Sequence, residues 1–493
     1  MQRQLLTVAS LVTFTALADA QLTGERPALG TNRITQAQIV GGSLTQQQIR
    51  EKGMQIFSTP FNKLDGYGDG DHDPFNPEKT EPGNRPYLQN NNTFNRINGL
   101  DTQACLECHA ILSNAKIPAR FAVGGVGGTA AVAMPGPRDV DIDDDAGNGF
   151  AHYDGRLINP PFLFGSGGVE ALAKEMTIDL EALKQAAIAN PNVPVPLVAK
   201  GVSFGTVSWD GATLDTSGVE GLILDDYDED GLDDFVVQPF GRKGNNASIR
   251  QFDIGALLFH QGMEPEEVVD DNDGDGWPDP GVDNDADGDG HVNEIFVGEL
   301  SALHIFSTSM EKPRIVPLST PQISAGKALF GSLGCATCHV PSLDTSSQFL
   351  PISFPEDITD PTANVFYTID LAASAPGFEP ASSGRGVKVE LFSDLKLHDM
   401  GPELAESTGS PLDPFFITPR LWGVADTGPW MHDGRAMTMS EAIMMHGGEG
   451  QAAGDAFTNS SDSDKLALLT YLRTLRTPKF PNTGLDSADL VID

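Results

Sequence analysis

The chain is poor in cysteine, in basic residues and in aromatic residues, and each shortage excludes something. Four cysteines in 493 residues are too few for a disulfide-stapled scaffold. Thirty-one Lys and Arg against 69 Asp and Glu leave a formal net charge of −38. Such a surface repels nucleic acid and anionic membranes, and attracts cations or basic partners. An exported protein adapted to salty water would carry the same balance, and composition does not separate the two. After the first twenty residues no apolar run reaches the roughly 20 residues that a bilayer span needs. Glycine (53) and proline (34) are plentiful, aromatics are 7%, and the expectation is long loops, modest helices and little sheet.

What little cysteine there is falls into one pattern. Cys105-Leu-Glu-Cys108-His109 and Cys335-Ala-Thr-Cys338-His339 use all four. Two thiols at this spacing can add to the two vinyl groups of one haem, and the following His then faces the iron as proximal ligand. Zinc would draw on both pairs as four ligands and would not call for a His after each. A thioredoxin-like redox pair needs no such His either. The pattern predicts two covalently bound haem c groups, with iron held by His109 and His339.

The N-terminus agrees with haem attachment outside the cytoplasmic membrane. Met1–Ala20 has Arg3, an apolar run from Leu5 to Leu17, and Ala18-Asp19-Ala20 before Gln21. Residues 1–20 therefore read as a cleaved secretory signal, with a periplasmic product. No cysteine follows the cleavage point to carry a lipid.

The two motifs lie too far apart for one small cytochrome unit. Each has a helical lead-in, over Gln46–Phe57 and over Thr320–Phe330, the second opened by a Thr-Pro start. Further helices are expected over Val169–Asn190 and Ser463–Leu475. The expected fold is mainly α: two cytochrome c-like domains, at 40–265 and 310–480, with long Gly/Pro-rich loops. An acidic calcium-repeat insertion at 266–309 separates them.

That insertion holds Asp271-x-Asp273-x-Asp275-Gly276 and Asp283-x-Asp285-x-Asp287-Gly288-Asp289-Gly290. Alternating carboxylates with glycine at position six supply the oxygens and sharp turn of a Ca²⁺ loop. A frame from Asp283 puts Glu294 at the bidentate position twelve, whereas a frame from Asp285 puts Phe296 there. The frames compete. Asp226-x-Asp228-x-Asp230-Gly231 is a shorter copy, and a solvated acidic linker is the plain alternative.

The C-terminal region carries the richest set of motifs: Leu397-His398-Asp399-Met400-Gly401, Thr418-Pro-Arg-Leu-Trp422-Gly, Thr427-Gly-Pro429-Trp430-Met-His432-Asp-Gly-Arg435 and Glu441-Ala-Ile-Met-Met-His446-Gly-Gly-Glu449. With both haem motifs, this resembles the bacterial dihaem cytochrome c peroxidase superfamily, in particular its di-haem oxidoreductase family of peroxidase type, also called thiol oxidoreductases. The likeness covers nearly all of 310–480 and is weaker over 40–265, where mainly the haem motif and Phe240 through Met263 look familiar. The acidic run is not part of it.

The resemblance implies a distal ligand for the C-terminal haem fourteen residues after His432, often Met; here it is His446, with Met444 and Met445 as fallback. It implies a Ca²⁺ between the haems on backbone oxygens of Thr427 and Pro429. It also implies a peroxide-reactive haem on His109, served by a proton-moving group. His260 and His152 are candidates to reach the distal face of that haem, and Glu170 and Glu175 are candidates for the proton-moving carboxylate. Trp209, Trp422 and Trp430 are candidates to carry electrons between haems, although buried Trp is usually core. H₂O₂ would be the small-molecule substrate, and the donor a small soluble cytochrome c or cupredoxin. A dihaem electron carrier without turnover remains an alternative, as does an enzyme oxidising a docked protein or a hydrophobic substrate. A haem-bearing assembly module built on the calcium repeats is a non-enzymatic alternative.

Overall fold

The computed structural model describes residues 25–68, 102–109, 111, 134–141, 152–406, 409–482 and 484–485. The expected signal segment, residues 1–20, and His72 lie outside them, as does the side chain of His152. Ten α-helices are described: α1 (Gln36–Val40), α2 (Gln46–Ser58), α3 (Ser166–Ala189), α4 (Ile249–Ala256), α5 (Glu266–Val269), α6 (Val297–Thr308), α7 (Pro321–Ser332), α8 (Met439–Met444), α9 (Gln451–Thr458) and α10 (Asp462–Leu472).

The helices that precede the haem motifs begin where side-chain caps allow. Thr45 accepts the Gln48 N–H at the start of α2, and Thr320 accepts the Ile323 N–H ahead of Pro321 in α7. Each is crossed by a second helix at a glycine. A Cβ on Gly53 of α2 would lie 2.1 Å from the Ala302 carbonyl of α6, and one on Gly326 of α7 would lie 2.1 Å from the Ala467 carbonyl of α10. Edge-on rings seal both crossings: Phe57 on Phe306 at 5.6 Å and Phe330 on Tyr471 at 5.8 Å. Each crossed pair seats one Cys-x-x-Cys turn.

The expectation of a mainly α chain is overturned. Helix accounts for 33% and strand for 14%, with six small antiparallel sheets among the described residues. Long segments between and after the motifs are closed by short hairpins rather than left as loops. Val195–Ala199 pairs with Val202–Trp209 around Lys200 and Gly201, both left-handed (φ 51° and 83°). A two-residue turn of that hand matches strand twist. Phe349–Ser353 pairs with Val365–Asp370, and Leu397–Asp399 with Phe415–Ile417. Arg314–Ile315 pairs with Leu475–Arg476, joining the two ends of the C-terminal region.

The main apolar core runs from Leu29 to Trp422 through α3 and α6, and a smaller one gathers Phe330, Phe392, Phe457 and Tyr471 beside the second motif. The α3 helix crosses the main core carrying buried charges, Glu170, Lys174 and Lys184. Lys184 pairs with Asp234, which is wholly buried.

Candidate haem sites

Both Cys-x-x-Cys segments fold as one tight turn. Cys105–Glu107 and Cys335–Thr337 are 3₁₀, and the N–H of His109 or His339 closes back on the first cysteine's carbonyl at 2.8 and 3.0 Å. None of the four cysteines is in a disulfide. In each motif a backbone carbonyl fixes the imidazole. His109 Nδ1–H donates to Pro161 at 2.6 Å, and His339 Nδ1–H donates to Phe392 at 3.1 Å. Nε2 is thereby the nitrogen left to an iron, the arrangement by which proteins orient a metal-binding His. Burial holds His109 down to about 4, with His260 adding to the effect against the Pro161 hydrogen bond. Burial, then neighbouring His446, holds His339 down to about 4. Neutral imidazoles are what a metal requires.

The rings facing these histidines differ. His446 lies 6.3 Å from His339, centroid to centroid, with planes at 62°, and its Nδ1–H donates to the Ala442 carbonyl at 2.9 Å. Two imidazoles bonded to one metal at about 2 Å each have centroids roughly 6 Å apart, so this gap fits an iron between them. Met444, a fallback ligand, is 48% exposed, and Met445 is half-buried. Among the described residues, Phe252 of α4 lies at the corresponding distance from His109, 6.3 Å and 78°, and offers no ligating atom.

His260 lies in a one-turn π-helix, Leu257–Gln261, that continues α4. Its carbonyl accepts the Thr102 N–H at 3.4 Å, and Gln261 Nε2 reaches Cys105 Sγ at 3.8 Å, so this turn lies against the first motif. Glu170 lies in a saturated buried cluster. Its carboxylate takes His304 Nε2–H at 3.0 Å, Lys174 at 2.9 Å and the Ile249 N–H at 3.0 Å. Burial opposes its charge, but His304 and Lys174 hold it down to about 2. Glu175 is tied to Lys200 and to the N–H groups of Ser346 and Ser347.

Asp253 escaped the sequence reading. It is buried in α4, its Oδ2 has no hydrogen-bond partner, and its field acts on Cys105. Burial, then the charge of Glu170, raises its carboxyl well above the usual range. A single Asp in an amphipathic helix gives no sequence signal for this.

In the C-terminal region, His398 bridges Glu449 at 2.7 Å and Asp394 at 2.9 Å, tying the Leu397–Asp399 strand to the loop after His446. His432 stacks on Phe416 at 4.4 Å. Thr427 and Pro429 flank Gly428. The Pro429 carbonyl accepts Asn159 Nδ2–H at 2.8 Å, and Asn159 Oδ1 is buried without a partner. Trp422 is buried against Gly165 and Phe378, four residues beyond the Pro161 carbonyl that holds His109. Trp430 Nε1–H donates to the Val424 carbonyl, and Trp209 ends a strand away from either motif's hydrogen bonds.

The acidic loops share one turn. The sixth-position glycine N–H donates to the first aspartate in each: Gly231 to Asp226 (2.9 Å), Gly276 to Asp271 (2.8 Å) and Gly290 to Asp285 (3.0 Å). This selects the Asp285 frame over the Asp283 frame. Asp283 instead accepts Asn293 Nδ2–H.

Residues 362–475 match the family described as "Di-haem oxidoreductase, putative peroxidase". No curated protein matches the chain. Among solved structures, hydrazine synthase of Kuenenia stuttgartiensis aligns at 18% identity over 36% of this chain and 55% of that one, with a TM-score of 0.21. A MauG-like protein associated with microbial copper homeostasis aligns at 16% identity over 39% of this chain and 56% of that one, with a TM-score of 0.22. Each alignment thus spans little more than half of the matched chain. The family match falls on the segment that holds His398, His432 and His446, and it bears out the resemblance read there.

Proposed function

We propose that the chain is a periplasmic dihaem c-type peroxidase, exported by residues 1–20, that reduces H₂O₂ with electrons from a small soluble donor. The observation that carries this reading is the asymmetry of the two motifs. His339 has a second imidazole, His446, at a metal-spanning distance, whereas among the described residues the ring at that distance from His109 is the phenyl of Phe252. A haem with two strong ligands passes electrons, and one with a weak or open sixth position can bind peroxide.

The chain's residues then divide the work. Cys105, Cys108, Cys335 and Cys338 anchor the haems, and the Pro161 and Phe392 carbonyls fix the proximal imidazoles. Trp422 packs beneath the loop that holds His109 and is the tryptophan best placed to couple the two halves. Haem iron, when bound, supplies the two-electron reduction of peroxide. That reduction needs a proton delivered to the leaving oxygen. Asp253 Oδ2 is the group that can hold one. Glu170 keeps its charge and with His304 and Lys174 fixes α4 through the Ile249 N–H. His260 positions the turn beside Cys105. A Ca²⁺ on the Thr427 and Pro429 carbonyls would be joined by Asn159, whose orphaned Oδ1 it would satisfy. Ca²⁺ at the Asp271 and Asp226 loops belongs to the same proposal.

The test is an EPR spectrum of the haem-loaded ferric protein, followed by peroxide turnover with a reduced cytochrome c as donor. One low-spin and one high-spin haem with donor oxidation is the expected result. Two low-spin haems, inert to peroxide even when half-reduced, would leave an electron carrier.

A further inference from the structure

One buried carboxylate cluster lies outside the family resemblance. The chain leaves the neighbourhood of the first motif at Glu264, runs through the acidic stretch and returns at Glu294. There Pro265 and Ile295 bridge in parallel, and the Glu264 N–H donates to Glu294 Oε2 at 2.7 Å. Glu264, Asp285 and Asp287 each offer an oxygen within 4.8 Å of one another. Glu294 and Asp289 lie within electrostatic reach of the same group. Glu264 is 1% exposed and Glu294 2%. Yet Glu264 Oε1, Glu294 Oε1 and Asp285 Oδ1 are buried with no hydrogen-bond partner. Carboxylate oxygens left so are costly unless a cation answers them.

We propose that Glu264, Asp285, Asp287, Asp289 and Glu294 hold one Ca²⁺, which clamps the His260 turn against the Cys105–His109 motif. The donor set is all oxygen and rich in carboxylate, which suits Ca²⁺, whereas Mg²⁺ prefers to keep several waters and zinc prefers nitrogen and sulfur. In the Asp285 frame position seven is His291, whose carbonyl completes the loop, but position twelve is Phe296. Glu294 at position ten, and Glu264 from outside the loop, replace the missing bidentate glutamate. The other two acidic loops lack this: Asp228, Asp230, Asp273 and Asp275 are exposed.

The clamp follows from where the ligands are anchored. Glu264 is three residues beyond Gln261, which reaches Cys105 Sγ, and the Gly68 N–H donates to the Gln261 carbonyl at 3.3 Å. Glu294 packs under the same segment, since a Cβ on Gly66 would lie 2.1 Å from its carboxyl carbon. One ion therefore joins the two strands of chain that flank the motif. The clamp rests on the haem reading of Cys105–His109; the ion site does not.

The experiment uses the haem-loaded full chain, stripped with a chelator and titrated with CaCl₂ alone. Bound ions are counted by mass spectrometry, amide exchange is followed over 257–264, and the ferric EPR signals are recorded. Calcium should slow exchange there by about tenfold or more and sharpen the His109 haem signal, with the His339 signal unchanged. Equal MgCl₂ should do neither. Glu264→Gln should lose one ion equivalent and behave as the stripped protein. Should that variant not fold, Asp289→Asn should weaken the same site by about 10- to 100-fold. Unaltered ion count and affinity in the variant would overturn the site. Calcium bound there with exchange and EPR unmoved would overturn the clamp. A chain without haem on Cys105 would still answer in ion count and exchange, so failure of the peroxidase reading is told apart.

Discussion

The imidazoles of His339 and His446 stand 6.3 Å apart, with each Nδ1–H held by a carbonyl of a different segment. The spacing is set by the chain alone: His339 by the Phe392 carbonyl, His446 by the last turn of α8. A haem bound between them would meet two ligands already oriented, and little reorganisation would be needed when its iron changed charge.

His446→Ala should open the C-terminal haem. A low-spin ferric EPR signal should convert to high-spin, while the His109 haem is unaffected. His446→Met should keep that haem low-spin and raise its potential, because thioether favours ferrous iron relative to imidazole. Redox titration followed optically checks this; an unchanged spectrum in both variants would remove His446 from the iron.

Asp253→Asn should slow peroxide turnover by about 10²- to 10⁴-fold, the usual worth of a positioned acid. Both ferric EPR signals should stay as in the parent protein. Turnover within twofold of the parent protein would show the proton comes from elsewhere.

Glu170→Gln should cost about 3–5 kcal/mol, since it removes the buried charge that His304 faces and leaves Lys174 only the Glu356 carboxylate, at 3.3 Å. Acid should act the same way. The Glu170 carboxyl is held down to about 2 in the folded state, below the roughly 4.3 of an unfolded glutamate. Its contribution is therefore present above about pH 4.3 and lost as pH falls towards 2. Denaturant midpoints measured across that window should drop steeply for the parent protein and less for the variant.

Gly326→Ala should destabilise the second haem unit by about 1–3 kcal/mol, because its Cβ meets the Ala467 carbonyl at 2.1 Å. The α7 and α10 helices must then separate. Gly331→Ala, in the same helix with nothing within 4 Å of its Cβ, should be neutral or slightly stabilising. Equal thermal midpoints for the two variants would argue against the close crossing.

The haem motifs could be read from sequence because covalent attachment dictates a contiguous five-residue spacing. The helices α2, α3, α7 and α10 were legible too, from caps and periodicity. The hairpins were not. A strand of two to eight residues such as Phe349–Ser353 carries too short an alternation to stand out, and its partner can lie many residues away. The calcium frame stayed open for a related reason: Asp283 and Asp285 fit the spacing equally, and only the Gly290 N–H, donated to Asp285, separates them.

Sequence by itself determined which residues form the two Cys-x-x-Cys-His motifs, which segments form the long helices and how acidic the chain is. All three are local or additive properties of the chain. Tertiary structure decided the rest. Among the described residues it set Phe252 beside His109, and it locked Glu170 into an ion cluster while leaving Asp253 Oδ2 without a hydrogen-bond partner. It also brought Glu264 to the aspartate loop that begins 21 residues further on, at Asp285. Burial and the partners found across the fold fix those outcomes, and neither is a property of any one segment.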